Sequence, residues 1–367
     1  MKRKRGEMVG GLLGGSMNRF SKKRTVILVV LFLIIDAAII FHIFFREETS
    51  PLRGFANFDS YLQGEFSSSL KEKGLIINQE VTNGKLNIRY RKGYGKYWLE
   101  RVIRQSLSSS EFRSEFDWNV INGFNVILTH PIDGNRTLKF REDERIKGGL
   151  ICIIIDDFGY FWDERVDELM SFDIPMAFAV IPGHEYSERI AKSADSNGKE
   201  LLLHLPMEAF EHQGGEDEYI IKYNMDIEEI ESRVSKALKT VPGASGINNH
   251  QGSRVTADSE TFQRFLAVIS PYNLYFIDSV THSSSVAFRD AQYAGVPAGR
   301  RTVFLDDSED EKTIDYRIEQ LKNRAHENGN AIGIGHINSE TIMALKNRIP
   351  LLIEEGYLFV YPSQLVN

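Results

Sequence analysis

The chain is 367 residues long, 42% hydrophobic and 26% charged, with a formal net charge of −7. That is enough apolar material for one large domain with additions, or for two domains. An acidic bulk argues against a nucleic-acid partner, because phosphate binding needs Lys and Arg clustered on the folded part.

The charge is unevenly spread. Residues 1–24 carry eight Lys/Arg against Glu7, a charge of +7, which leaves −14 beyond them. Directly after this basic tail comes Val26–Phe45, in which 16 of the 20 residues are Val, Ile, Leu or Phe. As a helix such a run spans roughly 30 Å, the thickness of a bilayer core. At about −0.3 to −0.6 kcal/mol each, these side chains outweigh a cost of roughly 3 kcal/mol for Asp36. Arg46-Glu47-Glu48 follows where a cleaved signal peptide needs small residues. The expectation is a cytoplasmic tail over 1–25 and a transmembrane signal anchor over 26–45. The rest is then held at the membrane on its outer side, periplasmic or extracellular.

Residues 46–147 predict a small α+β module. Apolar spacing over Phe55–Lys73 suits an amphipathic helix, and Leu75–Val81 and Lys85–Arg91 read as strands about the turn Asn83-Gly84. A second helix is expected over Trp98–Leu107, and strands at Phe124–Thr129 and Thr137–Phe140. No ligand constellation falls here. The expected roles are spacing and docking an envelope protein partner. Lys147-Gly148-Gly149 marks a hinge into the second body, 148–367.

From Leu150 onward strands and helices alternate. Strands read at Leu150–Ile155, Met176–Ile181, Glu200–Leu205, Ala244–Asn248, Tyr272–Ile277, Thr302–Leu305, Ala331–Gly335 and Tyr357–Tyr361. Helical patterns cover Asp226–Lys239, Thr256–Ile269, Ile314–Asn328 and Ser339–Glu355, with Asp258, Asp307 and Ser339 in capping roles. This alternation predicts α/β architecture with a parallel sheet, closed as a barrel or open and doubly wound. The first strand, apolar from Ile151 to Ile155 with Cys152 as a small core residue, ends in two adjacent acids, Asp156-Asp157.

Polar residues stand at the ends of most of these strands, the end that carries active sites in a parallel barrel. One carboxylate and two neutral imidazoles make the three-ligand site of a catalytic zinc, and Asp157, His204 and His250 supply them from three different strand ends. Asp156, beside the metal, takes the proton of the activated water, and His336 protonates the leaving group. Arg254 and Asp278 either hold substrate or set the charge state of that acid–base pair. Glu208 and Asn249, next to the histidines in the same strand-end segments, are assigned to substrate.

Ile153–Tyr160, His204–Glu208, Gly246–Asp258, Phe276–Thr281, Phe304–Asp307 and Gly333–His336 together resemble the divergent polysaccharide deacetylases, distant relatives of the NodB-type carbohydrate esterases. The resemblance covers roughly residues 149–367. It implies a distorted (β/α)7-like barrel of parallel strands and metal-dependent removal of acetyl groups from a polysaccharide. The acid pair matches the superfamily's base-plus-ligand motif, and His336 its late-strand histidine. NodB-type enzymes carry two metal histidines four or five residues apart. No such pair exists in this chain, which is why His204 and His250 are paired across strands.

The leading expectation is therefore a membrane-anchored hydrolase that uses a divalent metal, with zinc the expected ion. A non-catalytic glycan-binding or envelope scaffolding protein that keeps the fold is the alternative, separated from the first by turnover. A glycosidase acid pair is a third, separated by its indifference to chelators.

Overall fold

The computed structural model describes residues 58–76, 78–82, 85–107, 112–130, 134–211, 218–308 and 310–367. The expected anchor Val26–Phe45 and the turn Asn83-Gly84 lie outside these residues. Among the described residues no helix is long and apolar enough to cross a membrane. Asn57–Asn367 cluster as one unit.

Alternating apolar positions build a five-stranded sheet first. Its strands are β1 (Asn78–Thr82), β2 (Lys85–Tyr90), β3 (Arg113–Val120), β4 (Gly123–His130) and β5 (Gly134–Glu142), in the order β1-β2-β5-β4-β3. Phe124 and Phe140 stack 4.7 Å apart across β4 and β5. The helix Lys96–Leu107 buries Trp98, Leu99, Val102 and Ile103 on one stripe. β3 has no counterpart in the sequence reading. It is an edge strand with no fully buried residue, so it lacks the apolar alternation that announces a strand.

The second sheet is parallel throughout. It contains β6 (Leu150–Phe158), β7 (Ala177–Val180), β8 (Glu200–Met207), β9 (Gly246–Gln251), β10 (Tyr275–Asp278), β11 (Ala298–Arg300), β12 (Val303–Phe304), β13 (Asn330–His336) and β14 (Leu358–Phe359). Its order is β11-β10-β9-β8-β7-β6-β13-β12, with β14 beside the start of β6. β11 and β12 are two halves of one strand that changes partner over Arg301-Thr302. The Arg301 N–H donates to Asp278 O at 2.9 Å, and the next N–H, of Thr302, donates to Ile332 O at 2.8 Å. That handover joins the two ends of the sheet. Among the described residues, seven strand positions thus ring a distorted (β/α) barrel. β11 was missed in the sequence because three residues, Ala298-Gly299-Arg300, carry no periodic signal.

Strand parity divides the core in two. Leu150, Cys152, Ile154, Ala177, Ala179, Leu202, Tyr275, Ile277, Ile332 and Ile334 fill the barrel interior. Ile151, Ile153, Ile155, Phe178, Leu201, Leu203, Ile247 and Phe276 face outward, against the helices. The helices start on polar caps: Asp226, Asp258 and Asp310 accept from the N–H groups of Glu229, Thr261 and Thr313. Two expected caps fall elsewhere. Asp307 is drawn to Arg317, and the helix Ser339–Glu354 is capped by Asn338, one residue before Ser339.

The small sheet is fastened to the N-terminal ends of the barrel strands. Asn330 Nδ2 donates to Gly93 O, Gly95 N to Gln364 O at 2.9 Å, and Lys96 N to Asn367 Oδ1 at 2.8 Å. Gly93 is required there, since a Cβ would collide with the carbonyl of Gly329. The opposite rim, at the C-terminal strand ends, stays open for chemistry.

Candidate metal centre

Neighbouring residues of a strand point to opposite faces, so Asp156 and Asp157 reach one place only if the strand is broken between them. It is. β6 pairs Ile155 with Phe178 and then Phe158 with Val180, one residue more on β6 than on β7, and Asp157 takes φ 66°. This bulge leaves Asp156 on the interior parity and swings Asp157 to the barrel mouth. His204 on β8, and Asn248 and His250 on β9, share the interior parity of Leu202, and the β8–β9 register sets His204 opposite Asn248.

Three atoms then form a nearly equilateral triangle. Asp157 Oδ1 lies 3.2 Å from His204 Nε2 and 3.2 Å from His250 Nδ1, and the two nitrogens are 3.2 Å apart. Asn248 assigns the tautomer of His204. Its Nδ2 donates to Asp156 Oδ1 at 2.9 Å and to Ser279 Oγ at 3.3 Å, so its Oδ1 accepts from His204 Nδ1 at 2.9 Å. In the neutral ring Nε2 therefore presents a lone pair to Asp157. Asp157 Oδ1 is itself buried without a hydrogen-bond donor. Converging lone pairs call for a cation. Three corners of a tetrahedron with such edges sit about 2.0 Å from its centre, the zinc–nitrogen and zinc–oxygen distance. The donor set thus fits a divalent metal, and Asp157, His204 and His250 are the residues able to hold it.

Charges around the triangle are strongly coupled. Burial pushes Asp156 up, and Asp157 beside it pushes the same way against His204. Burial also acts on Asp157, but the two imidazoles against it outweigh that and hold its carboxyl far below the usual range. Burial would lower His204, yet Asp156 and Asp157 raise it. Across the mouth His336 Nε2 stands 3.7 Å from Asp157 Oδ2. Its Nδ1 lies 3.0 Å from Asp306 Oδ1, and Asp306 Oδ2 accepts from His336 N, Asn338 Nδ2 and Thr341 Oγ1 at 2.6, 2.9 and 2.8 Å. Burial works against the imidazolium, but Asp306 raises His336 to about 9.

The structure brings together Asp156, Asp157, His204, His250 and His336, and all of these but Asp157 line a cleft of about 450 Å³ with Asn249, Ser279 and Arg301. Asn249 has its amide committed to the wall: Oδ1 accepts from Ser279 N at 2.9 Å and Nδ2 donates to Gln251 O at 2.7 Å. Three other expected residues do not line this cleft. Arg254 is ion-paired with Glu208 at 2.8 Å and lies over the Tyr223 ring. Glu208 is spent on that pair and on Tyr223 N. Asp278 has the outward parity of Phe276, and its oxygens accept from Val280 N and Ser285 Oγ, both at 2.9 Å. Asn248, Asp306 and Arg301 were missed. Parity with His250 marks Asn248, and Asp306 directly precedes the residue read as a cap. Arg301 carries no sequence signal, since it depends on the split strand.

With this geometry in place, known proteins bear on it. A family model described as divergent polysaccharide deacetylase matches residues 153–366. The uncharacterised protein YibQ of Escherichia coli strain K12 is 35% identical over 204 residues, 56% of this chain and 63% of that protein. An uncharacterised Haemophilus influenzae protein is 32% identical over 205 residues, 56% of this chain and 72% of that protein. The crystal structure of an uncharacterised Agrobacterium tumefaciens C58 protein matches with a TM-score of 0.56 at 22% identity, over 61% of this chain and 92% of that one, a likeness of fold.

Proposed function

The chain belongs to the divergent polysaccharide deacetylase family, and from that premise we propose that its barrel hydrolyses acetyl groups from an envelope or extracellular polysaccharide with a zinc ion held by Asp157, His204 and His250. The observation that carries this reading is the triangle of lone pairs with an unsatisfied buried carboxylate oxygen at one corner. A divalent cation there supplies Lewis acidity, which polarises a carbonyl and makes water nucleophilic near neutral pH.

The remaining steps fall to the chain's own groups. Asp156 has Oδ1 occupied by Asn248 and Oδ2 turned to the cluster, 3.5 Å from His204 Nε2. Its raised pKa makes it the stronger base, and it takes the proton of the water that attacks the acetyl carbon. His336 is cationic at neutral pH because Asp306 holds it so. Its Nε2 proton passes to the departing nitrogen or oxygen as the C–N or C–O bond breaks.

Val26–Phe45 anchors this barrel to the membrane, and the basic tail keeps residues 148–367 outside the cytoplasm. The module before the barrel contributes the surface for an envelope protein partner. Full-length protein loaded with zinc should release acetate from acetylated oligosaccharides, stop on chelation and resume when metal returns. A folded protein that releases none with any divalent metal would sink the reading and leave a glycan-binding scaffold.

A further inference from the structure

Two cavities meet at one arginine. The cleft over the metal cluster shares Arg301 and Phe304 with a second cavity of about 560 Å³ along β12 and the helix Glu311–Asn328. The split strand places these two residues beside both cavities. Past Arg300 the chain leaves β10 to join β13, so the barrel wall is interrupted beside the rim. Arg301 and Phe304 stand between the two cavities at that notch.

Arg301 is built into the notch with care. Its Nε donates to Ser279 O at 2.5 Å and its Nη2 to Val280 O at 2.6 Å, while Nη1 has no hydrogen-bond partner among the described residues. The loop that receives it is strained: Val280, β-branched, sits at φ 51°, a conformation costing about 1–3 kcal/mol. Asp278 holds that loop through Val280 N, and Asn249 holds it through Ser279 N. The other charges of the second cavity are paired, Arg317 with Asp307 and Arg324 with Glu327. No carboxylate among the described residues is within ion-pair distance of Arg301. A rigid, half-buried guanidinium with a free Nη1, lying 4.8 Å over the Phe304 ring and bordering both cavities, has no anion in direct contact; the carboxylates of Asp156, Asp278 and Asp307 act on it only from a longer distance.

We propose that Arg301 binds an anionic group on the sugar next to the one being deacetylated, so that the substrate is an acidic acetylated polysaccharide with a carboxylate or phosphate ester seated in the notch. This rests on the deacetylase reading. On the facing helix, the Asn323 amide and the Nε2 of Gln320, whose Oε1 accepts from Arg317 Nη1 at 3.0 Å, line the same cavity and can meet the hydroxyls of that unit.

The test is calorimetric binding to the zinc-loaded full chain in detergent. Three tetrasaccharide probes are compared: neutral N-acetylchitotetraose, an alternating glucuronate–N-acetylglucosamine tetrasaccharide, and N-acetylchitotetraose carrying one 6-phosphate. One anionic probe should bind about tenfold tighter than the neutral one, and which of them does so identifies the anion. That preference should collapse in about 1 M salt. Arg301→Gln should abolish it. If Arg301→Gln loses its zinc and fails to fold, the salt series on the native protein decides. Equal affinity for all three probes, a salt-insensitive preference, or one that survives in a folded Arg301→Gln overturns the proposal. Acetate release is measured in parallel. Release without charge preference removes this site and keeps the deacetylase, whereas preference through Arg301 without release does the reverse.

Discussion

The barrel interior holds a buried acid cluster at each end, and the two behave differently. At the rim stand Asp156 and Asp157; at the floor, on the same parity of β8 as His204, stands Glu200. Burial raises Glu200 as it raises Asp156. Yet Glu200 is fully served by donors: Tyr275 Oη and Ser363 N bond to Oε1, and Ser363 Oγ bonds to Oε2 at 2.6 Å. Ser363 belongs to the C-terminal segment that also ties the small sheet to the barrel, so this cluster closes the floor. At the rim Asn248 serves Asp156 Oδ1, but Asp157 Oδ1 has no donor and imidazole lone pairs face it. Desolvation alone therefore does not mark a candidate metal site; facing acceptors with an oxygen left without a donor do.

Removing a metal ligand should separate the ends most sharply. His204→Ala and His250→Ala should each lose bound zinc, measured by metal stoichiometry, and drop turnover by at least about 10³-fold, with far-UV circular dichroism unchanged. Zinc retained at full stoichiometry in both would move the metal site elsewhere. Asp156→Asn comes next: turnover should fall about 10²- to 10⁴-fold while zinc stays bound. Loss of zinc in this variant would make Asp156 a ligand instead of the base.

Asp306→Asn tests the opposite side of the mouth and reads out as a pH shift. His336 is raised from 6.5 to about 9 in the folded chain, so the protonated donor persists through neutral pH and is lost as pH rises through about 9. Without the Asp306 charge, the basic limb of the kcat profile should move towards neutrality. The sign for stability is the same. The pair's contribution is complete below about 6.5 and vanishes as pH rises through about 9, visible in zinc-free urea midpoints of native protein and absent from the variant. An unmoved basic limb removes His336 as the acid.

The smallest effect belongs to the floor. Glu200→Gln leaves one of three donors without an acceptor and should cost about 1–3 kcal/mol in unfolding free energy. Zinc content and kcat/KM should not change. A loss of zinc there would join the two clusters into one system and break the comparison.

Much of this was legible in the residue order. The apolar run Ile151–Ile155, the βα alternation and the polar strand ends predicted a parallel sheet, closed or doubly wound, with its polar residues at one end, and the family resemblance implied the barrel; burial on both faces and strand-end exposure leave direct marks on composition. Asp258 could be assigned to a cap for the same local reason. Arg254, Glu208 and Asp278 could not be sorted by type from the residues that converge at the mouth. Parity would have turned Asp278 away, but Arg254 and Glu208 found each other through a contact between segments 46 residues apart.

What the sequence determined alone is the inventory: which acids and histidines stand at strand ends, and that the strands between them are buried. The tertiary structure decided their use. It took a bulge to put two adjacent carboxylates at one mouth, a cross-strand register to set Asn248 against His204, and a strand changing partners to bring Arg301 to the rim. Each of these depends on which backbone lies alongside which, a long-range pairing that no local pattern of side chains encodes.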